Sequence, residues 1–497
     1  MKNERNIIMK KFSRTLIAGL CSAALAAGMV SMAAAAETSI NSFEAESGTV
    51  KLIGRTYRTE DSTYLTYSAS GVEFTCTGSK VKFIVHQGGD PTRVAIYVNG
   101  KLNKVGMVKA SSGKTCVIEA DLEEGENTVK LIKLSESANS ILAIDSIETD
   151  SESIAPTAAK THSIEFIGDS ITCGYGVDGS SSESFSTSNE NAAKTYAYLT
   201  AQNFDADYSF VSVSGTGVIS GYTSDDQKNE TLNMPRDYEN LCFTWSWIDG
   251  ACPNDYEWDF SQYQPEAVVI NLGTNDSSYT KGDEAKCAEY EQGYVDFLKK
   301  VRKNNPDASI FCTLGIMGQD LYPSIEKAVE AYKTETGDNN VYTYMFNVQD
   351  VTNNGTGADW HPSEQSHIDA AEELTSEISQ TLGWEIVTPS ETGMAGYDKA
   401  NDAVFDVSAD NVDSEISSDI DSETDLSSIE NSETDSSSAS SSEAGSTSSS
   451  AVSSTGAVSS SNTSGSAASN PTTGAAAGTA AAAVLIGAVL VTVRKKK

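Results

Sequence analysis

Four short polar motifs, far apart in the chain, carry residue types that together can move an acyl group. They are Gly168-Asp169-Ser170-Ile171-Thr172, Ser214-Gly215-Thr216-Gly217, Gly273-Thr274-Asn275-Asp276 and Asp359-Trp360-His361-Pro362. A serine hydroxyl is a weak nucleophile until a neighbouring base takes its proton. His361 can take that proton and return it to the leaving group. The backbone N–H groups of Ser170 and Gly215 and the amide of Asn275 can complete an oxyanion hole, each donor contributing about 10²–10³ in rate. Singly the motifs are weak, since Gly-Asp-Ser is often a turn and Gly-Thr-Asn-Asp a helix cap. Their order, with each block at the end of an expected strand, carries the reading.

The elements that must position them follow from hydrophobic period. Residues 163–167 read as a buried strand running into Gly168, and 208–213, 267–271, 309–314 and 342–346 as further strands. Helical spacing covers 193–204, 284–304, 324–333 and 364–382. Strands alternating with helices imply a parallel sheet covered on both faces. Such sheets place their sites beyond the carboxyl ends of the strands. Upstream, from about 40 to 150, the period is two: Val81, Phe83 and Val85 alternate with Lys82, Ile84 and His86, and Asn99-Gly100 marks a hairpin. That segment predicts a β-sandwich with no catalytic cluster of its own.

Composition narrows the partners. The 497 residues carry 34 Lys+Arg against 70 Asp+Glu, a formal net charge of −36. Nucleic acid is excluded as a partner, because phosphates reward clustered Lys and Arg. A neutral glycan suits this surface better than a polyanion. The four histidines, His86, His162, His361 and His367, and the lack of a Cys-x-x-Cys pair argue against a metal centre. Cys242 and Cys252 are spaced to close a loop, but spacing alone establishes no disulfide. Trp245, Trp247, Trp258 and Trp360 are sugar-stacking candidates, with core packing the alternative. Trp360 is tied to the site by its neighbour His361, and Trp247 is the second candidate taken for substrate binding.

The two ends read as addresses. Lys10, Lys11 and Arg14 precede an apolar run and an Ala34-Ala35-Ala36 exit, a leader over 1–36 for signal peptidase. At the other end, Asn470-Pro471-Thr472-Thr473-Gly474 precedes an apolar stretch and the basic tetrad at 494–497. That stretch, 475–493, spans about 28 Å as a helix, near a hydrocarbon core. The arrangement resembles a sortase sorting signal with Asn470 in place of leucine, which implies cleavage after Thr473 and attachment to cell-wall peptidoglycan. A retained C-terminal transmembrane helix is the alternative. Between them the Ser-, Asp- and Glu-rich 387–469 is expected to be a solvated spacer. The protein is thus expected at the cell surface.

The four blocks together resemble the SGNH (GDSL-type) hydrolase superfamily over roughly 160–385, with Ser170, Gly215, Asn275 and His361 matching its blocks in order. The β-rich segment, Met234-Pro235, Trp258-Asp259-Phe260 and Trp360-His361-Pro362 are similar to carbohydrate esterase family 2. The resemblance implies a three-layer α/β/α esterase domain (156–386) behind a jelly-roll-like sandwich (37–155). It also implies a serine acetyl esterase that needs no cofactor and deacetylates plant hemicellulose, xylan or mannan. Deacetylation of mucin or bacterial-wall glycans, or an adhesin binding glycan with little turnover, are the alternatives. In one respect the sequence departs from the pattern. Many SGNH enzymes place Asp three residues before the histidine, where this chain has Ala358; Asp359 stands two before. Either Asp359 orients His361, or a backbone carbonyl does and the site is a Ser-His dyad.

Overall fold

The computed structural model describes residues 39–110, 113–246 and 252–407. The expected leader and sorting signal lie outside them, and no helix among the described residues is long and apolar enough to cross a membrane. The described chain falls within one compact unit.

The N-terminal part is two antiparallel sheets. One orders Thr56–Arg58, Thr63–Leu65, Ser140–Thr149, Lys80–Gly89 and Cys116–Asp121; the other is built around Gly71–Cys76, Asn127–Lys133, Thr92–Val98 and Lys101–Val108. Alternation does its expected work here: Val81, Phe83 and Val85 point inward and are fully buried with Phe74, Val94, Ile96, Val129 and Leu131. Asn99 and Gly100 both take positive φ, 52° and 71°, as a two-residue hairpin turn demands. His86, buried in its strand, sits beside Asp145.

The second part is a five-stranded parallel sheet in the order Ala206–Ser212, His162–Gly168, Ala267–Asn271, Ser309–Leu314 and Val341–Met345. Its continuous apolar strands are buried on both faces. Val268 and Ile270 pack toward helices Glu284–Asn304 and Tyr322–Thr336, while Ala267 and Val269 pack toward Tyr196–Asn203 and Glu364–Leu382. Both cores run on into the β-rich part, through Tyr64, Tyr67 and Ile141 on one side and Tyr97 and Ile132 on the other. Two helices begin or end a few residues from their expected limits, and the other two match them.

One boundary is corrected. The expected spacer from 387 does not begin there, because the described chain stays packed through 407. The N–H of Val387 bonds to the carbonyl of Asn203 at 2.8 Å, and Thr392 to that of Gly100 at 2.7 Å. Glu391 pairs with the buried Lys130. Asp402 takes Arg93 through two bonds, 2.7 Å and 3.1 Å. Ala403–Phe405 then adds a parallel strand to Lys101–Val108. A few anchors, Trp384, Met394 and Phe405, are buried in otherwise polar sequence. Such sparse anchors give no periodic signal. The remainder of the expected spacer, from 408, lies outside the described residues.

Candidate active site

Ser170 opens a one-turn helix, Ser170–Cys173, directly after its strand. Asp169 caps it, its carboxylate accepting the Ile171 N–H at 3.0 Å. The turn is tight enough to need glycine at 168, where an added Cβ would lie 2.1 Å from the Thr172 hydroxyl. His361 arrives from the far end of the domain, after the Ala358–Trp360 turn, and its Nε2 lies 2.9 Å from Ser170 Oγ across 191 residues of sequence. Burial lowers the His361 pKa to about 4, against the opposing pull of the Asp359 and Ala358 carbonyls and the Asp359 carboxylate. At neutral pH the ring is therefore uncharged and free to accept the serine proton.

Asp359 does not bond the imidazole. With φ of 49° it turns its carboxylate away, to accept the Tyr175 hydroxyl at 2.7 Å and the Phe185 N–H at 3.0 Å. His361 Nδ1 is buried and makes no hydrogen bond among the described residues. Tyr175 stacks on the ring, with centroids 4.0 Å apart and planes 26° apart, while the other nitrogen meets Ser170 Oγ. The direct-orienter alternative for Asp359 is thus set aside, for a stereochemical reason: the left-handed turn at 359 and 360 redirects the side chain.

The other two blocks close around the serine. Gly215, at φ 79°, follows the strand Ala206–Ser212. Its loop is pinned by Asp276, whose carboxylate accepts the N–H groups of Val218, Ile219 and Ser220 at 2.8–3.0 Å. Burial raises Asp276 to about 6 against those three bonds. Asn275 spans the first and second blocks, its amide donating to the Thr216 carbonyl at 2.8 Å and to Asp169 at 3.3 Å. Asp169 is itself raised to about 7, chiefly by burial. Among the described residues the N–H groups of Ser170 and Gly215 donate to nothing. The arrangement offers a nucleophile, an uncharged base and unengaged donors, the parts that acyl transfer uses.

Trp360 precedes His361 in sequence and is 66% exposed, as a stacking platform must be. Trp258 is buried instead, within a cage of rings around Arg55, and Trp245 is half-exposed against Phe243. Trp247 lies outside the described residues. His367 is a packing residue, its Nδ1 accepting the Tyr196 N–H. Cys173 is buried, and Cys242 and Cys252 are free thiols. Sequence reasoning did not find Tyr175, Asp276 or Glu136, a residue of the β-rich part that accepts the Ser214 N–H at 2.7 Å. Asp276 stood inside the third motif without a role assigned to it; the other two gave no signal.

Comparison with known proteins agrees with this geometry. Residues 164–374 match the GDSL-like lipase/acylhydrolase family and residues 52–157 the carbohydrate esterase 2 N-terminal family. The cellulase/esterase CelE of Acetivibrio thermocellus is 36% identical over 324 residues, 64% of this chain but 38% of CelE. An acetylxylan esterase/glucomannan deacetylase of Cellvibrio japonicus is 25% identical over 350 residues, covering 70% of this chain and 93% of that protein. Among solved structures, a family two carbohydrate esterase from Clostridium thermocellum in complex with cellohexaose is 32% identical. That match covers 67% of this chain and 99% of the other at a TM-score of 0.60. The acetyl xylan esterase Est2A of Butyrivibrio proteoclasticus is 26% identical over 69% of this chain and 99% of its own, at 0.62. With a β-rich domain leading into a parallel-sheet domain that bears the serine and histidine blocks, the chain belongs to carbohydrate esterase family 2 and is a serine esterase of the SGNH (GDSL-like) type.

Proposed function

We propose that this enzyme removes O-acetyl groups from plant hemicellulose, xylan or mannan, outside the cell. The observation that carries the mechanism is the 2.9 Å contact between Ser170 Oγ and an uncharged His361 Nε2. Ser170 attacks the acetyl carbonyl as its proton passes to His361 Nε2. The carbonyl oxygen, now an anion, takes the N–H groups of Ser170 and Gly215 and the amide of Asn275, whose longer bond to Asp169 is the one exchanged. His361 then protonates the departing sugar hydroxyl, leaving acetyl on Ser170. Water, deprotonated by the same nitrogen, releases acetate and restores the serine. Trp360 offers its exposed face to a sugar ring beside the ester, and Trp247 is the second candidate for such a contact. The acetylxylan and glucomannan activities in the names of the relatives favour a neutral acetylated glycan, as does the acidic surface.

The same reading places the enzyme at the cell surface. Signal peptidase removes residues 1–36, and a sortase joins Thr473 to peptidoglycan, leaving the Ser-rich segment as a tether. Acetate release from acetylated xylan, glucomannan, mucin and bacterial-wall glycan, by the enzyme and by Ser170→Ala, tests the activity and the substrate together. Release from xylan or glucomannan that vanishes in the variant is expected. Faster release from mucin or wall glycan would overturn the hemicellulose assignment, and glycan retention without acetate would mark an adhesin.

A further inference from the structure

We propose that Glu136, supplied by the β-rich domain, is a positioning residue for ester hydrolysis: its carboxylate sets the Ser214–Gly215 backbone that carries an oxyanion donor. The inference rests on the serine-esterase roles given above to Ser170 and Gly215.

Glu136 sits in the connection between the strands Asn127–Lys133 and Ser140–Thr149, and is 1% exposed. One of its oxygens, Oε2, accepts both the Ser214 N–H at 2.7 Å and the Cys173 thiol at 3.4 Å. Ser214 adjoins Gly215, and Cys173 lies on the single helical turn that Ser170 opens. A single carboxylate oxygen therefore touches the helical turn that bears the nucleophile and the oxyanion block at once. Its other oxygen is held by the Asn139 amide at 3.2 Å. The connection is fixed in turn to the catalytic domain. The Ser137 hydroxyl donates to the Phe243 carbonyl at 2.8 Å, and the Trp245 N–H donates to the carbonyl of Ala138.

A carboxylate is a costly group to bury there. A neutral side chain could fill the volume, and taking a charged one out of water costs several kcal/mol, roughly, unless it is well bonded. Burial raises the Glu136 pKa, and the Ser214 and Cys173 bonds and the Lys133 ammonium act against that rise, so the strength of the acceptor is set by these contacts. The Ser214 peptide is where that strength falls. Its orientation decides whether the next N–H, on Gly215, meets the oxygen on which charge develops. The β-rich domain thus contributes to the reaction and does more than shelter one face of the catalytic domain.

The test compares Glu136→Ala and Glu136→Gln in the full chain, with Asp402→Ala as a control that weakens the Arg93 contact between the domains and bonds neither Glu136 nor Ser214. Acetate release from acetylated glucomannan is expressed per site competent to react with a fluorophosphonate, so that misfolded enzyme is not counted. Glu136→Ala is expected to lower kcat about 10-fold or more with KM within about twofold. Glu136→Gln, which keeps an acceptor, is expected to recover most of that loss. Asp402→Ala is expected to lower the Tm and keep kcat per site. A Glu136→Ala enzyme with a lowered Tm and unchanged kcat per site would overturn the proposal, as would an equal kcat loss in Asp402→Ala. If Glu136→Ala does not fold, Asn139→Ala decides: a few-fold fall in kcat supports the proposal and an unchanged kcat overturns it. Activity persisting in Ser170→Ala would instead refute the roles on which the inference rests.

Discussion

The Tyr175 ring lies against the His361 imidazole, centroids 4.0 Å apart, while its hydroxyl donates to Asp359. The carboxylate two residues before the histidine thus bonds the phenol stacked on the base and not the base itself. Where a carboxylate bonds the imidazole directly, removing it costs about 10⁴ in kcat. Here Asp359 anchors a stacking ring, an interaction worth about 0.5–1.5 kcal/mol. Asp359→Asn and Tyr175→Phe are expected to lower kcat about 2- to 10-fold, and Tyr175→Ala more than either. Steady-state rates on an acetyl ester check this, and a loss near 10⁴ in Asp359→Asn would restore a direct triad.

The Asn275 amide joins the first and second blocks, so its loss removes an oxyanion donor and loosens two loops. Asn275→Ala is expected to lower kcat by about 10²–10³ with a smaller change in KM. Kinetics on small and polymeric acetyl esters would show the same fold loss in kcat on each.

The low pKa of His361 has a direct signature. A histidine held near 4 stays uncharged, and so competent as a base, down through the range where an exposed imidazole protonates. The acid limb of kcat/KM, which reports the free enzyme, is expected below the ordinary 6.5. Asp169, raised to about 7, titrates higher, and any inflection there should disappear in Asp169→Asn. A single acid limb at 6.5 or above, unmoved by that variant, would contradict the assignment.

Asp402 and the segment behind it lock the two domains. Arg93 is fully buried, and its guanidinium is shared between Asp402 and Asp178. Ending the chain at Ile386 strips one partner from a buried cation and removes the strand Ala403–Phe405. Breaking a buried pair costs about 3–5 kcal/mol, reduced here because Asp178 remains. Chemical unfolding of the shortened chain is expected to show a loss of at least about 2 kcal/mol; equal stability would mean the segment is only laid on the surface.

Ser170, Gly215 and Asn275 were legible because each belongs to a residue type the chemistry demands, placed where a strand runs out, and His361 because it stands in the last block just before the final helix. The parallel sheet was legible for a related reason, since strands buried on both faces read as unbroken apolar runs. Tyr175 and Glu136 were not. A stacking ring and a buried carboxylate have no required spacing from the residues they serve, and Glu136 comes from a different domain. Asp359 was ambiguous because its direction depends on a left-handed backbone that Asp tolerates but does not announce. Residues 387–407 looked like spacer because isolated anchors such as Met394 and Phe405 form no period.

The central claim is that acetyl passes through Ser170. Acid quenching during turnover of an acetylated glucomannan, followed by peptide mass spectrometry, measures it directly. The account predicts one acetyl group on the peptide containing Ser170, absent from Ser170→Ala, which should release no acetate. Acetate release by Ser170→Ala at the rate of the unaltered enzyme, with no acetylated peptide in either, would contradict it.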